Sequence, residues 1–430
     1  MNISVVIPTL NEEMRIAALL LALRRQTLPP KEILVVDAGS GDSTVRIAAS
    51  FREVRIVNAE PPVGAQRNLG LREATGEMVV FLDADTRPSP TFLEESVAEM
   101  RARKLQAACP KYDPGATSPG IRAVYWMFNG LFSLLSGVLP SGAGSCIFVE
   151  RSHALRCGGI RSDLVYDDAE FIRRVARSCR FGCLSTRLQV SDRRFREYGV
   201  LTMLAKYLLL SAFFTFGLFR LASVVSYPFS NYRREAEEHV VVVDDHGRTV
   251  RTAPKSEVHT SSTPLHLAFS LFLFDRRGRV LLQQRSGQKL TWPLHWSNSC
   301  CGHLLPEESL EDAVRRRTAI ELGINEMDLR VVLPNFRYRA ELNGIVENEV
   351  CPVLVGFTDQ EPNPLPEEVA DFRWMPWDEL VQWVRAGSPL TPWCVQEVLL
   401  LEQSPTFYEL LQTSSLMTRS RPEDNLALGT

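Results

Sequence analysis

The chain has 430 residues, more than one ordinary hydrophobic core organises, so two or three domains are expected. Its 48 lysines and arginines nearly balance its 51 aspartates and glutamates, for a formal net charge of −3, and 45% of the residues are apolar. That is a globular composition, and the absence of a basic excess argues against nucleic acid as a partner.

The N-terminus, MNISVVIPTL, opens on a strand-like run without a basic stretch or cleavage site. Nine cysteines, an odd number without a repeating spacing, fit free thiols in a reducing, cytoplasmic setting. Residues 3–9 (ISVVIPT) and 33–37 (ILVVD) read as buried parallel strands flanking the helix-period stretch NEEMRIAALLLALRRQ. Strands at 54–58 and 78–83 and a helix at 64–74 continue a βαβαβ alternation. It predicts an α/β domain, mainly parallel, with helices on both faces. Residues 123–149 carry no charge, but Gly130, Gly137 and Pro140 are expected to break any long helix there. YLLLSAFFTFGLF (207–219) lies between Lys206 and Arg220 and falls short of the about 20 residues that span a bilayer. An apolar helix at 200–225, buried or interfacial, is the expectation. SYPFSNYRREAEE (226–238) reads as a linker. Strand-like runs at 239–243, 267–274 and 279–284, joined by DDHG and DRRG turns, open a hairpin-rich α+β domain over 239–404. A helix at 307–322 and strands over 330–340 and 345–358 follow, and 405–430 is expected to be a flexible tail.

Ligands gather where parallel strands end, and three acids sit at such ends. Asp37 closes ILVVD, and Asp83 and Asp85 lie in LDADT, a spacing that suits a divalent cation bridging a diphosphate. The strings VVIPTLNEE, VVDAGSGDST, GAQRNLG, FLDADT and VYDDAEF resemble those of family 2 inverting glycosyltransferases, a resemblance that assigns residues 1–225 to such a domain. It implies a GT-A fold, a nucleotide-sugar donor and Mg²⁺ or Mn²⁺. Asp37 would contact the nucleobase or ribose, Asp83 and Asp85 the metal, and Asp168 would be the general base. One carboxylate opposite the leaving diphosphate suffices for inversion in a single displacement. Ala38 departs from the family's second acid at that point. Arg193 and Arg194 could clamp the diphosphate or form a solvated basic turn. The apolar helix beyond fits a lipid acceptor and a peripheral place on the inner membrane face.

In the second domain, His259, His266 and His303 accompany Glu347 and Glu349, which share one face of a strand because side chains alternate. Three imidazoles and two carboxylates form a plausible octahedral set for Mg²⁺, Mn²⁺ or Zn²⁺. The string SNSCCGH (297–303) lacks the CxxC spacing of a structural zinc site. Gly302, Glu308, Arg316, Glu321, Gly323 and Ile324 nearly complete a Nudix box, but Arg317 and Ile320 replace two of its acids. That favours diphosphate binding without cleavage.

The strings HTSSTPLHLAFS, LLQQRSGQKLTWP, WSNSCCGH, FRYRA, GIVENEVCPV and TPW resemble type I isopentenyl-diphosphate isomerases from about residue 239 to 400. The resemblance implies interconversion of isopentenyl and dimethylallyl diphosphate by proton addition and removal. Cys301 and Glu349 match the two proton-transfer groups, and Tyr338 would hydrogen-bond within that relay. Trp393 would face the carbocation, a contact worth about 2 kcal/mol when desolvated. Lys255, Arg285, Lys289 and Arg317 match the diphosphate contacts, Glu321 would hold a second Mg²⁺, and Cys300 is packing. The chain thus reads as a bifunctional enzyme. The alternatives are a Nudix-type diphosphate hydrolase fused to an inactive glycosyltransferase-like domain, and a structural zinc module built on Cys300, Cys301 and His303.

Overall fold

A computed structural model describes residues 2–419, except 116, 137–139, 141, 143, 192–194, 196–197, 223–224, 226–238 and 307. Arg193, Arg194, the expected linker and residues 420–430 therefore lie outside the described residues. The chain divides into two compact units, residues 1–234 and 235–430, with the boundary inside the expected linker.

In the first unit, β1 (Ile3–Thr9), β2 (Glu32–Asp37), β3 (Val54–Asn58), β4 (Met78–Leu82), β5 (Thr86–Arg87), β6 (Ala107–Asp113), β7 (Cys146–Glu150) and β8 (Phe181–Val190) form one sheet, ordered β3-β2-β1-β4-β7-β6-β8-β5. The first four are parallel, β7 is antiparallel to both β4 and β6, and β6 runs parallel to β8. All seven residues of β1 and all five of β4 are buried, as continuous apolar runs in a parallel sheet should be. Helix Val63–Glu73 packs close over β1 and β2 because Gly70 has no side chain: a Cβ there would lie 2.3 Å from Val6 Cγ1.

Residues 123–149 depart from expectation. Helix Pro119–Leu135 runs through Gly130, with Pro119 at its start and the Ser118 hydroxyl accepting from the Ile121 N–H. An interior glycine costs only about 1 kcal/mol, and burial of Ile121, Val124 and Phe128 against Phe195 and Met203 outweighs it. The apolar segment at 200–225 contains helix Val200–Thr215 and the short helix Phe219–Ala222. Among the described residues no helix is long and apolar enough to cross a membrane.

The second unit is a mixed sheet of β9 (His239–Val243), β10 (Thr249–Pro254), β11 (His266–Phe274), β12 (Arg279–Arg285), β13 (Trp296–Ser297), β14 (Cys300–His303), β15 (Asp328–Leu333), β16 (Arg337–Leu342), β17 (Ile345–Val350), β18 (Val353–Phe357) and β19 (Val369–Pro376). β11 is its hub, pairing with β9, β12, β14, β17 and β18. The two strands expected over 330–340 and 345–358 are four. Pro334 and Pro352 cannot donate to a ladder and end β15 and β17, while Asn343 and Gly344, both at positive φ, turn β16 back into β17. The expected tail is also partly ordered: Pro405–Arg419 is a helix whose Phe407 is buried 4.6 Å from the Trp377 ring. Its other neighbours include Phe274, so that apolar contact, invisible in a Ser/Thr-rich segment, holds it.

Candidate active sites

Four adjacent strands, β14–β11–β17–β16, carry the second unit's site. Cross-strand register sets Ser270 opposite Cys301, Ala268 opposite His303, His266 opposite Glu349, and Glu349 opposite Tyr338. Side chains two apart share a face, so Cys301 and His303, and likewise Glu347 and Glu349, project together.

His259, His266, His303 and Glu349 place one ligand atom each within 4.8 Å of one another. Glu349 Oε1 lies 3.1 Å from His303 Nε2 and 3.4 Å from His266 Nε2, and Glu347 Oε2 lies 3.1 Å from His259 Nε2. Nδ1 of His266 and His259 face the carbonyls of Pro264 and Lys255 at 2.9 and 3.3 Å. Those contacts fix the ring protons on Nδ1 and leave the Nε2 lone pairs turned inward. Apart from these carboxylate contacts, the buried His259 Nε2, His266 Nε2 and Glu347 Oε2 find no well-formed hydrogen bond, which suits metal ligands. The residues therefore fit a divalent transition metal. Burial pushes His303 down to about 4, keeping it neutral and able to ligate. Burial also penalises the Glu349 carboxylate, but the imidazoles of His266 and His303 beside it outweigh that and hold Glu349 well below the usual range.

Beside this cluster, Tyr338 Oη donates to Glu349 Oε2 at 2.8 Å. The Cys301 thiol donates to Asn298 Oδ1 at 2.9 Å, and burial pushes it up to about 12. Trp393 is buried, edge-on to Trp292 and 5.3 Å from the Tyr338 ring, with the Arg285 guanidinium 5.4 Å from its centroid. Arg285 also donates to the Thr291 carbonyl at 2.9 and 3.0 Å. Cys300, on the opposite face of β14, is fully buried against helix Leu310–Leu322 and is a packing residue. All nine cysteines are free, so the doublet forms no disulfide.

The Nudix frame survives without two of its acids. Gly302 is required because a Cβ would lie 2.8 Å from Arg317 Cγ. Arg316, fully buried, pairs with Glu308 through two bonds of 2.7 and 2.9 Å and donates to the His303 carbonyl at 3.0 Å. Helix Leu310–Leu322 starts at the Ser309 cap and stops at Gly323 in the left-handed region. Glu321, expected to hold a second Mg²⁺, forms an ion pair with Arg317 and accepts from Gln283 at 3.3 Å. Its carboxylate balances an arginine placed where the box should carry an acid, and it stands outside the histidine cluster. Lys289 and Arg317 converge on Glu368, whose carboxyl burial would raise but whose paired cations hold low.

In the first unit, Asp37 is buried at the end of β2. Its two oxygens accept from the Thr9 hydroxyl (3.3 Å), the Gly39 and Ser40 N–H groups (2.9 and 2.8 Å) and the Ser40 hydroxyl (2.5 Å). Asp37 thus holds its own loop as a turn. Asp83 and Asp85 follow β4, and Asp167 and Asp168 open helix Asp167–Ala176. Buried Arg67 joins the two segments, donating to Asp83 at 3.0 Å, Asp167 at 3.3 Å and the Gly144 carbonyl at 3.1 Å. Burial raises Asp167 to about 7 against the pull of Arg67, and raises Asp168 for the same reason. Gly144 must lack a side chain, since a Cβ there would sit 2.3 Å from Asp168 Oδ2. A site with one or two carboxylates fits a cation whose remaining ligands come from a donor's diphosphate.

Sequence reading missed Arg67, Glu368 and Glu397. Arg67 lies in the recognised string GAQRNLG without a role assigned to it, and Glu368 sits in a loop with no periodic signal. Glu397 did leave a trace: it is an acid four residues after Trp393, on the buried face of helix Pro392–Glu402.

Histidines and glutamates clustered on a Nudix frame have the chemistry of a diphosphate-handling protein that could hold a cation, and comparison with known proteins narrows the class. The NUDIX domain family matches residues 264–394, and Glycosyl transferase family 2 matches residues 4–149. Isopentenyl-diphosphate Delta-isomerase of Mycolicibacterium vanbaalenii is 51% identical over 169 residues, 39% of this chain and 93% of that protein. The Saccharopolyspora erythraea isomerase is 49% identical over 163 residues, 37% of this chain and 84% of its own. The chain belongs to the isopentenyl-diphosphate Delta-isomerase family through its second unit, and its first unit carries a glycosyl transferase family 2 domain. Among solved structures, TarS from S. aureus is 22% identical over 48% of this chain and 64% of the TarS fragment, with a TM-score of 0.37. A mannosyltransferase from Pyrobaculum calidifontis, in complex with GDP-Man and Mn²⁺, is 24% identical over 44% of this chain and 56% of its own, at a TM-score of 0.38.

Proposed function

We propose that the chain is a bifunctional enzyme. Its second unit interconverts isopentenyl and dimethylallyl diphosphate, and its first transfers a sugar from a nucleotide-sugar with inversion. The observation that carries the isomerase reading is the convergence of Cys301, Glu349 and Tyr338 beside a buried histidine cluster. Protonating the terminal alkene carbon creates a tertiary cation, and losing a proton from C2 completes the shift, so one group must give a proton and another take one. Cys301 and Glu349 are those groups. Tyr338 fixes Glu349 through its 2.8 Å hydrogen bond, and the buried Trp393 excludes water that would trap the cation. Lys255, Arg285, Lys289 and Arg317 bind the diphosphate, the last two by exchanging Glu368 for phosphate oxygens. Bound to His259, His266, His303, Glu347 and Glu349, Mg²⁺, Mn²⁺ or Zn²⁺ supplies positive charge that stabilises the Glu349 carboxylate. Incubating the full chain with isopentenyl diphosphate, Mg²⁺ and Mn²⁺ tests this: dimethylallyl diphosphate is the expected product. Released phosphate would mean a hydrolase, and no product with tightly held zinc a structural module.

In the first unit, Asp168 is the base for the acceptor hydroxyl, its raised affinity for protons suiting that task. Asp83 and Asp85 hold Mg²⁺ or Mn²⁺ against the donor diphosphate, and Asp37 shapes the donor loop. Asp168→Asn is expected to lower sugar transfer about 10²- to 10⁴-fold with isomerisation unchanged. Equal transfer rates for the two proteins would remove Asp168 from that role.

The acceptor reading is a lipid presented at a membrane surface. Helices Pro119–Leu135 and Val200–Thr215 pack together and carry no acidic residue. Trp126 and Leu134 on the first are 78% and 81% exposed, and Leu201 on the second is 81% exposed, with Arg122 and Lys206 supplying positive charge beside them. Replacing Trp126, Leu134 and Leu201 together by serine should lower partitioning onto anionic phospholipid vesicles by more than about 100-fold, because each large apolar side chain contributes about 1.5 kcal/mol or more. Unchanged co-flotation would exclude this surface.

A further inference from the structure

Glu347 does not stand alone beside the histidines. It lies on β17, and Thr291, in the loop between β12 and β13, donates its hydroxyl proton to Glu347 Oε1 at 2.7 Å. Both side chains are buried. The other carboxylate oxygen, Oε2, is the one 3.1 Å from His259 Nε2, so the hydroxyl fixes which oxygen Glu347 presents to the cluster. The same threonine holds Arg285. Its carbonyl accepts from Arg285 Nε at 3.0 Å and from Nη2 at 2.9 Å, and its hydroxyl oxygen accepts from Nη2 at 3.1 Å. One residue therefore touches a carboxylate proposed for the metal and an arginine proposed for the diphosphate.

The loop is shaped to place it. Two backbone bonds close its neck, from the Arg285 N–H to the His295 carbonyl at 2.9 Å and from the Leu294 N–H to the Arg285 carbonyl at 3.1 Å. Trp292 and Leu294 adopt φ angles of 45° and 60°, in the left-handed region that bulky side chains rarely enter. Trp292 is buried edge-on to Trp393 at 5.1 Å, which holds the backbone in that conformation directly after Thr291. Such strain persists only where the surroundings over-determine it, and it gathers at ligand-holding sites.

We propose that Thr291 is a positioning residue for both ligands of this site: its hydroxyl orients Glu347 toward a divalent cation, and its carbonyl orients Arg285 toward a diphosphate. Thr291 acts only through those two side chains. A ligating carboxylate already hydrogen-bonded through its other oxygen gives up less freedom when the ion binds, so the hydroxyl raises affinity. The two tasks fall on different atoms. Only the hydroxyl reaches Glu347, whereas the two carbonyl contacts to Arg285 survive a change of side chain.

The inference rests on the isomerase reading and its cation site, and the experiment separates them. Thr291→Val keeps the branched shape and removes the hydroxyl. In the full chain, Mn²⁺ binding is followed by the loss of the free-ion EPR signal, and His266→Ala identifies the ion that this cluster holds. Thr291→Val should weaken that ion about 10- to 100-fold, and Thr291→Ser, which restores the hydroxyl, should return it to within about threefold of wild type. Were Thr291 merely a packing residue, valine would preserve the affinity. Binding of inorganic pyrophosphate, measured by calorimetry without metal, should weaken only about threefold in Thr291→Val, because the carbonyl still holds Arg285. Mn²⁺ affinity within about twofold of wild type in Thr291→Val, or a serine variant as weak as the valine one, overturns the role of the hydroxyl. Pyrophosphate affinity that falls as far as Mn²⁺ affinity overturns the division between hydroxyl and carbonyl. If Thr291→Val does not fold, Thr291→Ala takes its place with the same expected and overturning results. A wild-type chain from which His266→Ala removes no Mn²⁺ would overturn the cation site itself. A wild-type chain that holds Mn²⁺ but isomerises nothing would overturn the isomerase reading, and the Mn²⁺ affinities would still decide the role of Thr291.

Discussion

Replacing Cys301 by alanine is expected to lower kcat for isopentenyl diphosphate isomerisation about 10²- to 10⁴-fold, the range supplied by a positioned acid or base. KM should stay within about threefold, because the thiol makes none of the proposed diphosphate contacts and acts only on the reacting carbons. Stability should change little: Cys301 is partly buried and the exchange removes one small sulfur, whereas the neighbouring Cys300 is the residue locked into the core. Cys300→Ala therefore makes the matched control, with a lower thermal midpoint but a kcat near wild type. Product formation followed by proton NMR, with thermal midpoints recorded for each variant, checks the pair. A Cys301→Ala enzyme as fast as wild type would remove the thiol from the chemistry. Cys300→Ala losing as much kcat as Cys301→Ala would mean that the two cysteines act as one feature.

The doublet shows what sequence reading could reach. Alternation along β14 separates Cys300 from Cys301, and the two-residue spacing of Cys301 with His303, and of Glu347 with Glu349, puts each pair on one face. Those relations are local, so they are legible in the sequence. The strand-end acids of the first unit were readable in the same way, because Asp37 and Asp83 follow apolar runs that can only be buried strands. What stayed hidden depends on contacts distant in sequence. Arg67 reaches Asp167 across a hundred positions, and Ser270 meets Glu397 across 127. Glu321 keeps its Nudix position and pairs with Arg317, one turn earlier on the same helix. Helix Pro119–Leu135 and helix Pro405–Arg419 are not legible locally, because glycine, serine and threonine content weighs against helix while tertiary burial of Phe128 and Phe407 outweighs it.

Chelation of divalent cations should lower the unfolding midpoint of the second unit by about 5–10 °C when the ion is present at about 100 times its dissociation constant. At that ratio an ion bound only by the folded state contributes about 2.7 kcal/mol, and a unit of this size shifts about 2–4 °C per kcal/mol. Loss of the ion leaves the Nε2 atom of His266 buried without a well-formed hydrogen bond, a cost of about 1–3 kcal/mol where no rearrangement satisfies it. The sign with pH follows from the ligands. In the ion-free site, burial lowers the His259 pKa, but the hydrogen bond and charge of Glu347 outweigh it, so the net shift is upward. The stability from that protonated pair is full below the ordinary histidine range and is lost as pH rises through the raised value. The cation must displace this proton, so its affinity falls on acidification. The gap in midpoint between loaded and stripped protein should therefore widen from about pH 6 to about pH 8. Differential scanning calorimetry with Mn²⁺, with a chelator, and with Mn²⁺ restored reads the gap directly. His266→Ala provides the independent arm, because it should abolish the response to Mn²⁺ and leave a midpoint near that of the stripped wild type. A wild-type midpoint that ignores both chelator and Mn²⁺ would mean that the histidines and glutamates are held by one another rather than by an ion.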